Sequence, residues 1–186
     1  RLSFRNKDAF ADLSKKFGCS PDAAIDIISY AQQLGIRIKG LSFHVGSQSP
    51  NPTKYVEAIN ACAKVINKVS ELGLPALSTL DIGGGFPVPY SADVLPINVF
   101  CAPINVALAQ LPETMQIIAE PGRFIVASSV TSVASVMGQA QREGRTWYYL
   151  DDGIYGSFSG LMFDEAAYPI DSAKQDGERF ESVLAG

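Results

Sequence analysis

Apolar and polar positions alternate along the chain with two different periods. Between Ser20 and Gly35 the apolar residues recur at helical spacing, with Ile25, Ile28 and Ala31 on one stripe. Ser20 suits an N-cap, Pro21 the first helical position and Gly35 the C-cap, so a helix is predicted between them. Ile36 to Val45 reads as a strand. A longer helix is predicted from about Pro52 to Leu72, with Val56, Ile59, Ala63, Ile66 and Val69 on its buried stripe and Gly73 as its stop. Leu77 to Ile82 predicts a buried strand, Val94 to Leu111 contains a further helix, and Met115 to Ala119 is a third strand.

Strands and helices alternating at this spacing argue for a parallel α/β arrangement. His44, Gly83 to Gly85 and Glu120 to Arg123 each follow a predicted strand. In a (β/α) barrel all of them would lie on one face, the face that carries active sites. The texture changes near residue 124. Phe124 to Gln139 is rich in Val, Ser and Thr, and both Thr146 to Leu150 and Tyr155 to Phe163 read as strands, with turns at Asp152-Gly153 and Gly156. The expected division is a barrel-type part over 1–125 and the start of a mainly β domain over 126–186.

Composition narrows the function classes. With 47% hydrophobic and 18% charged residues the chain is globular rather than disordered. Its net charge of -4 and scattered basic residues argue against a nucleic-acid partner. No apolar run approaches the roughly 20 residues of a membrane-spanning helix. Cys19, Cys62 and Cys101 are far apart and odd in number, which suits reduced packing residues of a cytoplasmic protein better than a metal site. Arg1-Leu2-Ser3-Phe4 has neither a Met start nor a signal-peptide pattern and reads as a chain entered in mid-domain.

Four segments can carry chemistry. In Asp81-Ile82-Gly83-Gly84-Gly85-Phe86-Pro87 the glycines leave backbone N–H groups uncovered, which suits a phosphate; the alternative is a turn that needs positive φ. In Glu120-Pro121-Gly122-Arg123 the arginine can clamp phosphate and Glu120 can face a basic ring nitrogen; the alternative is a surface ion pair. His44, the only histidine, is either a structural residue or a ring-contacting one, and Ser47 adds a hydroxyl nearby. Asp164, after Met162-Phe163, is either a recessed carboxylate suited to a substrate ammonium or a turn residue. The first three together make a phosphate nest, an acid and an aromatic-like ring at neighbouring strand ends, which are the contacts a phosphorylated pyridine needs.

At these residues the chain resembles the eukaryotic-type ornithine decarboxylase family, whose members also act on lysine, arginine or diaminopimelate. The matches are Arg1-Leu2-Ser3, Lys16-Phe17-Gly18, Ser42-Phe43-His44-Val45-Gly46-Ser47, Leu80 to Pro87, Ala119 to Arg123 and Asp152 to Phe158, in family order across essentially the whole chain. The resemblance implies an α/β fold: part of an alanine-racemase-like (β/α)8 TIM-type barrel followed by the start of a β domain. It implies pyridoxal 5'-phosphate as cofactor. His44 would stack on the pyridoxal ring, while Ser47, Gly83, Gly84, Gly85, Gly122 and Arg123 would hold the phosphate. Glu120 would keep the ring nitrogen protonated, and Arg1 would lie beside the ring. Asp164 would bind the distal amine of the substrate, with Phe163 where many members have Tyr. Tyr155 aligns with a tyrosine at a dimer-interface active site, so a homodimer with shared sites is implied. The expected activity is decarboxylation of ornithine, then lysine, to a diamine of polyamine biosynthesis. The Schiff-base lysine is expected before Arg1 and a partner-donated Cys-Asp pair after Gly186, so residues 1–186 alone are expected to be inactive. The competing expectations are a non-catalytic relative of the antizyme-inhibitor type and an unrelated barrel segment with coincidental glycines.

Overall fold

Ser20 and Pro21 start the first helix as their chemistry requires. The Ser20 hydroxyl accepts from the N–H of Ala23 in a computed structural model of the chain, and α1 runs Pro21–Gln33. The structure describes residues 1–186 except 8, 10–13, 15, 91–92, 164–165 and 173–179, and only the backbone of Phe163. The chain divides into two compact units, Arg1–Ala127 and Ser128–Gly186.

The first unit has the order α1, β1 (Gly40–Ser42), α2 (Thr53–Glu71), β2 (Thr79–Asp81), α3 (Ile97–Leu108), β3 (Gln116–Ile118) and the short α4 (Gly122–Val126). The three strands form one parallel sheet in the order β1-β2-β3. Leu41 pairs with Leu80 and Leu80 with Ile117 across it. Leu41 and Leu80 belong to the apolar core that α1, α2 and α3 cover. The α/β alternation expected from the sequence is therefore present. The strands are shorter than predicted; Ile36 to Lys39 lie outside the sheet, and Ile36 is 56% exposed.

The buried stripe of α2 is Tyr55, Ala58, Ile59, Cys62, Val65, Ile66 and Val69. The predicted stripe included Val56 and Ala63; both are only partly buried, because the helix turns Tyr55 and Cys62 inward instead. Tyr55 sits in an aromatic cluster, with ring centroids 6.3 Å from Phe43, 5.1 Å from Phe86 and 5.8 Å from Phe100. Each large apolar side chain removed from water here contributes about 1.5–3 kcal/mol. The cluster thus ties the end of β1, the loop after β2 and α3 to one helix.

In the second unit, β4 (Val136–Arg142) and β5 (Arg145–Leu150) form an antiparallel hairpin, and β6 (Ser182–Ala185) pairs parallel with β5. The strand expected over Tyr155 to Phe163 is absent. Asp152 accepts the N–H groups of Gly153 and Ser157, Gly153 accepts those of Gly156 and Phe158, and α5 (Gly160–Phe163) follows. Most backbone donors of the segment are satisfied this locally, so they are not offered to a ladder. The segment from Phe124 also begins in a helix, α4, where the sequence showed few helix signals.

Candidate active site

The parallel register carries the ends of β1, β2 and β3 to one place. The ladder continues past the strands, with Phe43 N–H donating to Asp81 O at 3.0 Å and Ile82 N–H to Ile118 O at 2.8 Å. One step further, Glu120 N–H donates to Gly83 O at 2.8 Å. The segments carrying His44, the three glycines and Glu120 are thus neighbours.

Besides Gly83 O, three more backbone carbonyls or amides of the glycine loop are tied down. The Gly83 N–H donates to Asp81 Oδ1 at 2.9 Å, the Tyr55 hydroxyl donates to Gly84 O at 2.8 Å, and Ser49 N–H donates to Gly85 O at 2.9 Å. By contrast, the N–H groups of Gly84 and Gly85 have no hydrogen-bond partner among the described residues. Gly84 is buried, so an unmade bond there costs about 1–3 kcal/mol unless a ligand accepts it. A Cβ on Gly84 would lie 2.5 Å from Glu120 O and 3.3 Å from His44 Nε2. Gly85 has φ +100°, and a Cβ there would collide with Gly46 O. The loop is glycine because three strand ends close on it, and what it leaves uncovered are amide donors suited to an anion.

His44 is half-buried, and its Nδ1 accepts the N–H of Gly46 at 3.0 Å. Burial lowers its pKa, the nearby Arg1 charge lowers it further, and Asp81 opposes both. The ring is therefore neutral near pH 7 with its proton on Nε2, the nitrogen beside Gly84. The loop after His44 is stitched from two sides. Asn6, 1% exposed, donates to Val45 O at 2.7 Å and to Ser49 Oγ at 3.1 Å. The Gln48 amide donates to Val88 O at 3.0 Å and accepts Val88 N–H at 2.8 Å. Ser47 lies half-buried in this loop.

Glu120 is exposed, as is Gly122, where an added Cβ would meet nothing within 4 Å. The Arg123 guanidinium lies 5.8 Å from the Tyr90 ring centroid. Arg1 is exposed, stacks on Phe17 at 5.3 Å and lines an open cavity of about 430 Å³ with Ser42, Thr79, Asp81 and Gln116 on the sheet face opposite the core. Tyr155, 90% exposed, and Phe163 belong to the second unit, and Asp164 lies outside the described residues.

Sequence reasoning missed Tyr55 and Asn6 as parts of this site, and it gave no role to Asp81 or Gln48, which lie at the ends of its candidate segments. Asp81 carried a signal, since an Asp two residues before a glycine is placed to cap it. Tyr55 carried one too, as a hydroxyl on an otherwise apolar stripe.

Comparison with known proteins matches residues 5–127 to the pyridoxal-dependent decarboxylase family, pyridoxal binding domain. The chain is 40% identical over 174 residues to the lysine/ornithine decarboxylase of Selenomonas ruminantium, covering 91% of this chain and 43% of that one. It is 34% identical to antizyme inhibitor 2 of Xenopus laevis, covering 89% of this chain and 39% of that one. The structure of a Vibrio vulnificus lysine/ornithine decarboxylase complexed with cadaverine superposes with a TM-score of 0.88 at 69% identity, covering 92% of this chain and 47% of that one. The chain therefore spans less than half the length of these relatives.

Proposed function

The chain belongs to the pyridoxal-dependent decarboxylases through their pyridoxal binding domain, and from that premise we propose that the protein carrying it decarboxylates L-ornithine or L-lysine to a diamine. The observation that carries this reading is the pair of N–H groups at Gly84 and Gly85 that have no partner among the described residues, in a cradle that no Cβ fits. Such a cradle suits the phosphate of pyridoxal 5'-phosphate, with Arg123 and Ser47 adding a charge and a hydroxyl and Gly122 leaving open space. When bound, that cofactor supplies a protonated pyridine ring that takes up the electron pair left as CO2 departs from Cα.

This chain's own residues set the conditions for that chemistry. Glu120 holds a proton at the ring nitrogen, because a neighbouring carboxylate favours a cation. His44, neutral and fixed by Gly46, offers a ring face for stacking rather than a competing charge. Arg1 lies beside the same ring. By resemblance to the family, Asp164 is the residue assigned to the distal amine of the substrate, and Phe163 and Tyr155 are assigned to substrate binding. The parallel β1-β2-β3 sheet is read as part of a (β/α)8 barrel, and the second unit as the start of a β domain. The assembly is read as a homodimer with shared sites. Three free cysteines suit the cytoplasm, and no helix among the described residues is long and apolar enough to cross a membrane.

The test is CO2 release by the protein from ornithine, lysine, arginine and diaminopimelate with added pyridoxal 5'-phosphate. Turnover of ornithine or lysine is expected; no release from any of the four would sink the reading. The likeness to antizyme inhibitor 2 supports a second reading, a regulatory binding protein without catalysis. Under it the protein would release no CO2 and bind no cofactor.

A further inference from the structure

The glycine loop exposes its two amides only if its peptide planes are held in one orientation. Gly83 and Gly85 carbonyls are held by backbone donors, from Glu120 and Ser49. The Ile82–Gly83 peptide is held by the Asp81 carboxylate, and the Gly84–Gly85 peptide by a side chain from outside the loop, the hydroxyl of Tyr55 on α2. In a trans peptide the C=O and the following N–H point in opposite directions. With Gly84 O drawn toward Tyr55, the Gly85 N–H is turned away from the aromatic core beneath the loop.

Tyr55 is built for this. Its side chain is fully buried at 0% exposure, and its ring is wedged among Phe43, Phe86 and Phe100. Burial pushes its pKa up, so the hydroxyl is always a donor. Its oxygen lies 3.3 Å from where a Cβ on Gly85 would sit, so it also closes the space under that residue. A phenylalanine would fill the same aromatic slot, so packing does not explain the hydroxyl.

We propose that Tyr55 is a positioning residue for the phosphate group of the cofactor: its hydroxyl, donated to Gly84 O, fixes the peptide whose N–H at Gly85 meets the phosphate. This rests on the proposed pyridoxal 5'-phosphate function.

The experiment compares the protein with its Tyr55→Phe and Phe100→Leu variants. Pyridoxal 5'-phosphate and pyridoxal, which lacks the phosphate, are titrated into each cofactor-free protein, and the melting temperature of each is recorded. Tyr55→Phe is expected to weaken pyridoxal 5'-phosphate roughly tenfold, the size of one hydrogen bond to a charged group, and to leave pyridoxal binding unchanged. Phe100→Leu disturbs the same aromatic cluster without touching the hydroxyl. It is expected to lower the melting temperature and to leave both affinities as they were. The inference is overturned if Tyr55→Phe weakens the two ligands equally, weakens neither, or behaves as Phe100→Leu does. A wild-type protein that binds no pyridoxal 5'-phosphate defeats the proposed function first, and is recognised before any variant is read.

Discussion

Nδ1 of His44 accepts the main-chain N–H of Gly46 at 3.0 Å, which leaves the single imidazole proton on Nε2. Protonation would set a second donor against the Gly46 N–H, so the contact works only while the ring is neutral. Burial and Arg1 lower the folded pKa of His44 below 6.5, so its neutral form is favoured by folding. The resulting stability is fully present above the unfolded value and is lost as pH falls through the lowered folded one. The melting temperature of the cofactor-free protein is expected to fall between about pH 7 and 5, and less steeply in His44→Asn. Equal slopes in the two proteins would rule this out.

Gly84→Ala places a Cβ 2.5 Å from Glu120 O, and backbone cannot yield there without parting two strand ends. The expected outcome is a loss of at least about tenfold in affinity for pyridoxal 5'-phosphate, with about 1–3 kcal/mol of lost stability from overpacking. Absorbance titration and denaturant melts check both. Unchanged affinity would show that the loop does not face the cofactor.

Asn6 reaches 39 residues along the chain to Val45 O and 43 to Ser49 Oγ. Asn6→Ala leaves a buried carbonyl unpaired and is expected to cost about 1–3 kcal/mol. Asn6→Asp presents an acceptor to that carbonyl and should cost more. Denaturant midpoints measure the order, and an alanine variant as stable as the wild type refutes it.

The β4–β5 hairpin turns through Glu143 at φ +51° and Gly144 at φ +76°. Two successive positive φ values mark a type I′ turn, which asparagine fits better than glutamate. Glu143→Asn is expected to stabilise the hairpin by up to about 1 kcal/mol, and Gly144→Ala to destabilise it. With two compact units present, the readout is hydrogen exchange of the β4 and β5 amides rather than one global melt. Slower opening in Gly144→Ala would refute the turn assignment.

Much of the fold was legible because its cues are local. Ser20, Pro21 and Gly35 bracket α1, and the periodic stripe of α2 found its length to within a residue at each end. The reading failed where backbone bonding overrode residue type. Tyr155 to Phe163 carries strand-forming aromatics, yet Asp152 and Gly153 take its amides into turns. It also failed on the rotation of α2, since a partner surface chose Tyr55 over Val56, both of which the periodicity allowed.

Residue order by itself determined the alternation of strands and helices, the glycine run after β2 and the placement of His44 and Glu120 after their strands. Those follow from periodicity and from side chains that act on their nearest neighbours in the chain. Tertiary structure alone decided that these strand ends meet, that Gly84 closes between Glu120 and His44, and that Tyr55 holds its carbonyl from beneath. Contacts between residues 29 to 40 positions apart depend on sheet register and helix rotation, and no local preference in the chain encodes either.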